Sequence, residues 1–214
     1  MIDVIDSSPD RHERADHWEQ VYECNETDEV SWYQSESLMS LDFVDLLGIQ
    51  PDAGIVDVGG GGSVLVDALL RQGYVDLTVL DISESALEAS RRRVGRGAPV
   101  KWVVHDLLTW EPDRQYGLWH DRAVFHFLAG NETDAYRRLL QQAVAPGGSI
   151  IMATFALDGP EWCSGLPVTR YGATQLASFL APEFTVVEER REVHRTPGGL
   201  EQPFTWIAAR RTVD

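Results

Sequence analysis

The sequence predicts an α/β domain on a mostly parallel sheet, preceded by a helical cap and finished by an antiparallel strand. Three observations carry this. Short Val/Ile/Leu-rich runs alternate with segments of helical period, glycine- and proline-rich turns separate them, and the C-terminal end reads as a hairpin. Alternating strands and helices imply right-handed crossovers between parallel neighbours.

The elements follow in order. Ser8-Pro9-Asp10 reads as an N-cap with proline at the first helical position, opening a cap helix to about Glu23. Buried-strand runs are Gly54–Val58, Leu77–Leu80, Val100–Val104 and Ser149–Ala153. Leu65, Ala68, Leu69 and Gln72 follow the first run at helical spacing, and Ala86, Leu87, Ser90 and Val94 follow the second, with Ser83 as N-cap. A fourth strand spans about Tyr116 to Asp121. Asn131 then precedes the periodic Ala135, Leu139, Leu140 and Ala143, and Pro146-Gly147-Gly148 is expected to end that helix. Phe184–Val193 and Phe204–Ala209, joined through Thr196-Pro197-Gly198-Gly199, form the hairpin. The division expected is a cap over 1–44 and one domain over 45–214.

Composition narrows the function. The chain has 214 residues, enough for one core, with 43% hydrophobic and 24% charged residues, which excludes a disordered or collagenous protein. Its net charge of −16 repels phosphate backbones and anionic lipid, so neither nucleic acid nor a membrane is an expected partner. Two cysteines, Cys24 and Cys163, cannot staple a domain of this size, and no signal-like or membrane-length apolar segment occurs, so a cytoplasmic protein is expected.

Asp57-Val58-Gly59-Gly60-Gly61-Gly62-Ser63 lies where the first strand meets the first helix. Glycines there permit positive φ and let a ligand approach bare backbone. A dinucleotide fingerprint would need glycine or alanine at Val64, so NAD is disfavoured. Asp81 ends the second strand, where a carboxylate can accept hydrogen bonds from both hydroxyls of a ribose, although an acid at a helix N-terminus is also favourable on its own. Asp106 ends the third strand.

These residues resemble the class I S-adenosylmethionine-dependent methyltransferases, over about residues 45 to 212. The first motif of that family, an acid followed by glycines at alternate positions, is matched by Asp57, Gly59 and Gly61, with Ser63 in place of the third glycine. The resemblance implies a Rossmann-like, doubly wound sheet of seven strands and S-adenosyl-L-methionine as cofactor, with S-adenosyl-L-homocysteine as product. It places Asp57, Gly59 and Gly61 at the methionine part and Asp106 at the adenine amino group, with Asp81 at the ribose and Ile82 and Leu107 as apolar faces for the ring. Val30-Ser31-Trp32-Tyr33-Gln34, Trp119–Phe127 and Cys163–Tyr171 look like those of a bacterial subgroup of these enzymes. The Trp18 to Tyr33 region is distantly similar to the cap of protein-lysine methyltransferases, including the mitochondrial citrate synthase type.

Methyl transfer from a sulfonium is an in-line displacement that requires positioning and, for a protonated acceptor, a base. The residues after the fourth strand should face the transferring methyl, making His120 and His126 candidate bases, Asp121 a candidate catalytic acid and Arg122 a candidate acceptor contact. Because consecutive strand residues point to opposite faces, His120 and Asp121 should not both line the site. Trp18, Tyr22, Trp32 and Tyr33 are candidates to close over it, and Arg170, Tyr171, His194 and Arg195 are candidate acceptor contacts at the same sheet edge. His105, His120 and His126 show no metal-ligand spacing, and Cys163 is not needed as a nucleophile. The expectation is methyl transfer to O, N or S of a small molecule. Methylation of protein lysine and a non-catalytic cofactor-binding module are the alternatives.

Overall fold

The computed structural model describes residues 11–213. Four short buried runs become the strands Ile55–Val58 (β1), Leu77–Asp81 (β2), Val100–Val104 (β3) and Tyr116–Arg122 (β4), followed by the long Val144–Phe155 (β5). Trp162–Cys163 (β6) and Leu166–Pro167 (β7) make a small separate ribbon, and Phe184–Arg195 (β8) and Glu201–Arg211 (β9) are the C-terminal hairpin. The seven-stranded sheet has the order β3-β2-β1-β4-β5-β9-β8, with β9 antiparallel to both neighbours and the rest parallel. The chain therefore reverses its strand order beside β1, and the carboxyl ends of β1 and β4 open a crevice there.

Helices cover both faces. Leu38–Leu47 (α2), Leu65–Arg71 (α3) and Glu84–Val94 (α4) lie on one face, where Phe43, Leu69 and Leu87 join Leu118 and Trp206 in a buried cluster. Asn131–Ala143 (α5) and Ala173–Leu180 (α6) lie on the other, where Tyr136, Leu139 and Leu176 pack against Trp119 and Ile150. Each face buries an apolar layer at both surfaces of the central strands, which is why β1 and β2 are buried throughout.

Arg11–Cys24 (α1) is the expected cap helix; its Ser8 cap lies outside the described residues. Residue 44, the expected end of the cap, falls inside α2, whose Phe43 and Val44 are fully buried in the core. The helix before β5 stops at Ala143 rather than at Pro146-Gly147-Gly148, because Val144 already pairs with Tyr116 and the glycines ride in the first, irregular part of the strand. Gly130, at φ +56, occupies the N-cap position of α5, and Asn131 is its first helical residue. Ser83 caps α4 as read, its hydroxyl accepting from the Ala86 amide at 3.1 Å.

Candidate functional site

The loop after β1 turns at once. Gly59 has φ +65, and a β-carbon there would stand 2.2 Å from Val124 Cγ2, so glycine is required for both conformation and space. The Gly59 amide donates to the Leu80 carbonyl at 2.7 Å, folding the loop across the end of β2. A β-carbon on Gly61 would come within 2.7 Å of Asp81 Oδ2, so the loop backbone lies directly on that carboxylate. Gly60, unassigned by the alternate-glycine pattern, is equally constrained: a β-carbon there would meet Asp57 Oδ2 at 2.3 Å.

Three buried carboxylates mark three successive strand ends, each with a different environment. Asp57 accepts from His120 Nδ1 at 2.7 Å through Oδ1, while its buried Oδ2 has no partner. Asp81 accepts from the amides of Gly61 and Ser83, each at 2.9 Å. Burial raises its pKa to about 6, against the lowering effect of those amides. Asp106 accepts from the Leu108 amide at 2.9 Å and caps the 3-10 turn Leu107–Thr109.

The register explains the split after β4. Asp57 and His120 are direct partners across the parallel β1–β4 pair, so their side chains share a face. His120 Nε2 lies 3.0 Å from Ser40 Oγ of α2, giving a buried Ser40–His120–Asp57 chain of hydrogen bonds. Asp121 points the other way, accepting from Tyr136 Oη at 2.6 Å and from the amides of Val124 and Phe125 at 2.9 and 3.3 Å. Its pKa is pushed up to about 6 by burial. Asp121 holds the turn after β4 and lines neither cavity, so it does not meet the expectation of a catalytic acid.

That turn begins at Ala123, a non-glycine residue at φ +72, which aims Val124 and the 3-10 segment Phe125–Phe127 over the glycine loop. His126 is turned inward. Its Nδ1 faces the Phe155 amide at 3.4 Å, its ring packs on Phe127 and Phe155, and burial, with the Arg122 charge, depresses its pKa to about 3. It lines neither cavity and does not stand where a base would meet an acceptor.

Two adjoining cavities share Tyr22, Trp32, Gly59 and Arg122 in their walls. The larger encloses about 840 Å³, including its mouth. One end is bounded by Asp81, Ile82, Asp106 and Leu107; the other by Trp18, Trp32, Phe127 and Cys163. Trp18 meets Trp32 and Phe127 edge-on at 5.6 and 5.2 Å between centroids, and Trp32 Nε1 donates to Tyr22 Oη at 3.0 Å. The second cavity is bounded by Asp57, Gly60, His120, Tyr33 and Ser40.

Of the acceptor contacts expected from the sheet edge, Arg122 alone lines these cavities. Arg170 is drawn to the Gly159 carbonyl and to Glu161, and Arg195 pairs with Glu201 on the surface. Tyr171 packs on Phe125 in the apolar cluster covered by α5 and α6 and lines neither cavity. His194 Nε2 donates to the Ser31 carbonyl at 2.8 Å, tying the cap segment to β8. Phe127 and Cys163 come from segments expected at this edge without being singled out as contacts, whereas Arg14 and Ser40 enter the cavity walls without having been expected there. Ser40, a serine on the otherwise apolar buried face of α2, carried a signal in its position, while Arg14 and Cys163 depend on how α1 and the β6–β7 ribbon pack.

The residues fit S-adenosylmethionine. Asp57 Oδ2 is a buried acceptor in need of a donor beside bare glycine backbone, Asp81 sits at the end of β2, and Ile82 and Leu107 flank the space before Asp106. Fold and site thus define a nucleoside-cofactor protein with its site at the sheet's switch point. Residues 55–148 match the family described as Methyltransferase domain. Thiocyanate methyltransferase 1 of Brassica oleracea is 26% identical over 196 residues, 88% of this chain and 83% of its own length. The eEF1A lysine and N-terminal methyltransferase of Mus musculus is 23% identical over 154 residues, 70% of this chain but 22% of its own length. Among solved structures, 1,6-didemethyltoxoflavin-N1-methyltransferase of Burkholderia thailandensis, with 1,6-didemethyltoxoflavin and S-adenosylhomocysteine bound, superposes with a TM-score of 0.72 at 21% identity, over 95% of this chain and 91% of that one. These findings support a class I S-adenosylmethionine-dependent methyltransferase, with the methyltransferase domain matched over residues 55–148.

Proposed function

We propose that the protein methylates a small-molecule acceptor lodged at the aromatic end of the larger cavity. The observation that carries this reading is the continuity of that cavity, from Asp81 and Asp106 at one end to Trp18, Trp32 and Phe127 at the other. The cofactor supplies an electrophilic methyl on a sulfonium. In this reading Asp57 Oδ2 receives the cofactor's ammonium, Asp81 the ribose hydroxyls, and Asp106 with Ile82 and Leu107 the adenine. Gly59 and Gly61 leave room for the cofactor beside bare backbone. His120 is a positioning residue: it fixes the Asp57 carboxylate, and Ser40 fixes His120 in turn. Trp18, Tyr22 and Trp32 exclude water from the reacting centre, and Tyr33 closes the neighbouring cavity over the glycine loop.

The Brassica oleracea and Burkholderia thailandensis relatives are named for small acceptors, which supports this reading. The mouse relative, named for lysine and N-terminal methylation, supports a protein acceptor instead. Incubation with methyl-labelled cofactor and cell extract separates the two. Label in the small-molecule fraction is the expected result, and label confined to protein bands would overturn it.

A further inference from the structure

Among the described residues lining the two cavities, Arg122 and Asp57 are left with buried, unpartnered polar atoms, and Asp57 Oδ2 is the one given above to the cofactor's ammonium. Arg122 Nη1 donates to the Trp32 carbonyl at 3.0 Å, and its guanidinium lies over the Phe204 ring at 4.7 Å, but its buried Nε and Nη2 have no hydrogen-bond partner. Burial lowers its pKa to about 10, so it remains a cation at neutral pH. The nearby Glu192 carboxylate is committed elsewhere, accepting from Trp206 Nε1 at 2.8 Å and from Gln34 at 3.3 Å. A buried guanidinium with two unused donor nitrogens, in the wall of both cavities, is a receptor for an anion.

The other charges around the larger cavity agree. Its two carboxylates, Asp81 and Asp106, both stand at the nucleoside end. The second cation of the wall, Arg14, is paired with Glu132. Among the described residues lining the aromatic end, no carboxylate is present to hold an ammonium, and no imidazole is placed to take a proton from an acceptor. His105 lies at the strand end beside Asp106, its Nδ1 2.9 Å from the Asp106 carbonyl, and His126 is outside the walls.

We propose that the acceptor is a small planar anion, bearing carboxylate, phenolate or thiolate, whose charge is received by Arg122 and which reacts as the anion without a protein base. This rests on the small-molecule methyltransferase reading above. A lone pair on the acceptor oxygen or sulfur forms the bond to the methyl carbon as the carbon–sulfonium bond breaks. The released pair stays on sulfur, giving neutral S-adenosylhomocysteine, and no proton moves. An anion and a sulfonium become two neutral centres, a charge loss that a water-poor aromatic cavity favours.

The test is calorimetric titration of the full chain, saturated with S-adenosylhomocysteine, with benzoate, 2-mercaptobenzoate and benzylamine. The anions bind and the amine does not. Arg122→Gln weakens the anions on the order of tenfold or more, with Arg122→Lys intermediate, because the lysine keeps the charge and loses the fork. The affinity of Arg122→Gln for S-adenosylhomocysteine stays within about threefold of the parent, since the cofactor contacts named above are untouched. If Arg122→Gln fails to fold, the preference of the unmodified protein for anions over the amine decides. Binding of benzylamine as tight as that of benzoate, no binding of either anion, or anion binding indifferent to Arg122→Gln overturns the proposal. So does a loss of S-adenosylhomocysteine affinity in Arg122→Gln with unchanged affinity for decarboxylated S-adenosylmethionine, which would give Arg122 to the cofactor's carboxylate. Failure of the unmodified protein to bind S-adenosylhomocysteine at all would instead remove the methyltransferase reading, and this proposal with it.

Discussion

His120 Nδ1 lies 2.7 Å from Asp57 Oδ1, between two residues that are also direct partners in the β1–β4 register. The acid at the end of β1 is thus held by the neighbouring strand, and its second oxygen is left facing the glycine loop. A histidine that the sequence offers as a base is engaged on both ring nitrogens.

His120→Ala should therefore act on cofactor affinity. Removing one partner of a buried hydrogen-bonded carboxylate costs about 1 to 3 kcal/mol, or roughly tenfold or more in Kd. Calorimetry with S-adenosylhomocysteine checks this. Unchanged affinity with lost turnover would return His120 to the role of base.

Asp121→Asn should cost stability and spare the cofactor. The Asp121 carboxylate accepts from Tyr136 Oη and two amides, and Tyr136 Oη already accepts from Trp119 Nε1 at 3.0 Å, so an amide NH2 in place of the second oxygen leaves the tyrosine hydroxyl without an acceptor. The expected loss is about 1 to 3 kcal/mol in denaturant unfolding, with S-adenosylhomocysteine affinity retained.

The same carboxylate gives a pH signature with a definite sign. Its pKa in the folded chain is raised to about 6, so the folded state holds the proton more tightly than the unfolded one. Its contribution to stability is full below the unfolded carboxylate value of about 4 and is lost as pH rises through about 6. The stability gap between the parent and Asp121→Asn should therefore narrow across that window. A gap that widened would contradict the assignment.

Glu19 joins the cap to the cofactor side of the domain. Its carboxylate accepts from the Ser85 amide at 3.1 Å, in the first turn of α4, and also from the Ser85 hydroxyl. Glu19→Ala should loosen α1, which carries Trp18 and Tyr22 over the cavity, and raise the KM for cofactor by a few-fold with a smaller change in melting temperature. Limited proteolysis within residues 11–24 of the variant, absent from the parent, would accompany it.

The fold was legible because its signals are local. Buried parallel strands read as short apolar runs, and Ser83 carries its own capping chemistry. The Pro146-Gly147-Gly148 turn misled because its residues look like a helix stop, while the backbone pairing of Val144 with Tyr116, invisible in the sequence, recruits them into β5. At the site, strand ends located Asp57, Asp81 and Asp106, since topology fixes where a strand ends. Side-chain direction beyond the strands is set by nonlocal partners. Arg170 is claimed by Glu161, Arg195 by Glu201 and His126 by the Phe155 amide, and of the arginines expected as acceptor contacts Arg122 is the one turned to the cavities.

The central claim is that the two adjoining cavities together hold the cofactor by the carboxylates at the ends of β1, β2 and β3. Calorimetric titration with S-adenosylmethionine and S-adenosylhomocysteine, with NAD as control and Asp81→Ala alongside, tests it most directly. The account predicts saturable one-to-one binding of the first two, none of NAD, and a loss of about 1 to 3 kcal/mol in the variant. Binding of NAD, no binding of either sulfur compound, or an Asp81→Ala affinity equal to that of the parent would contradict it.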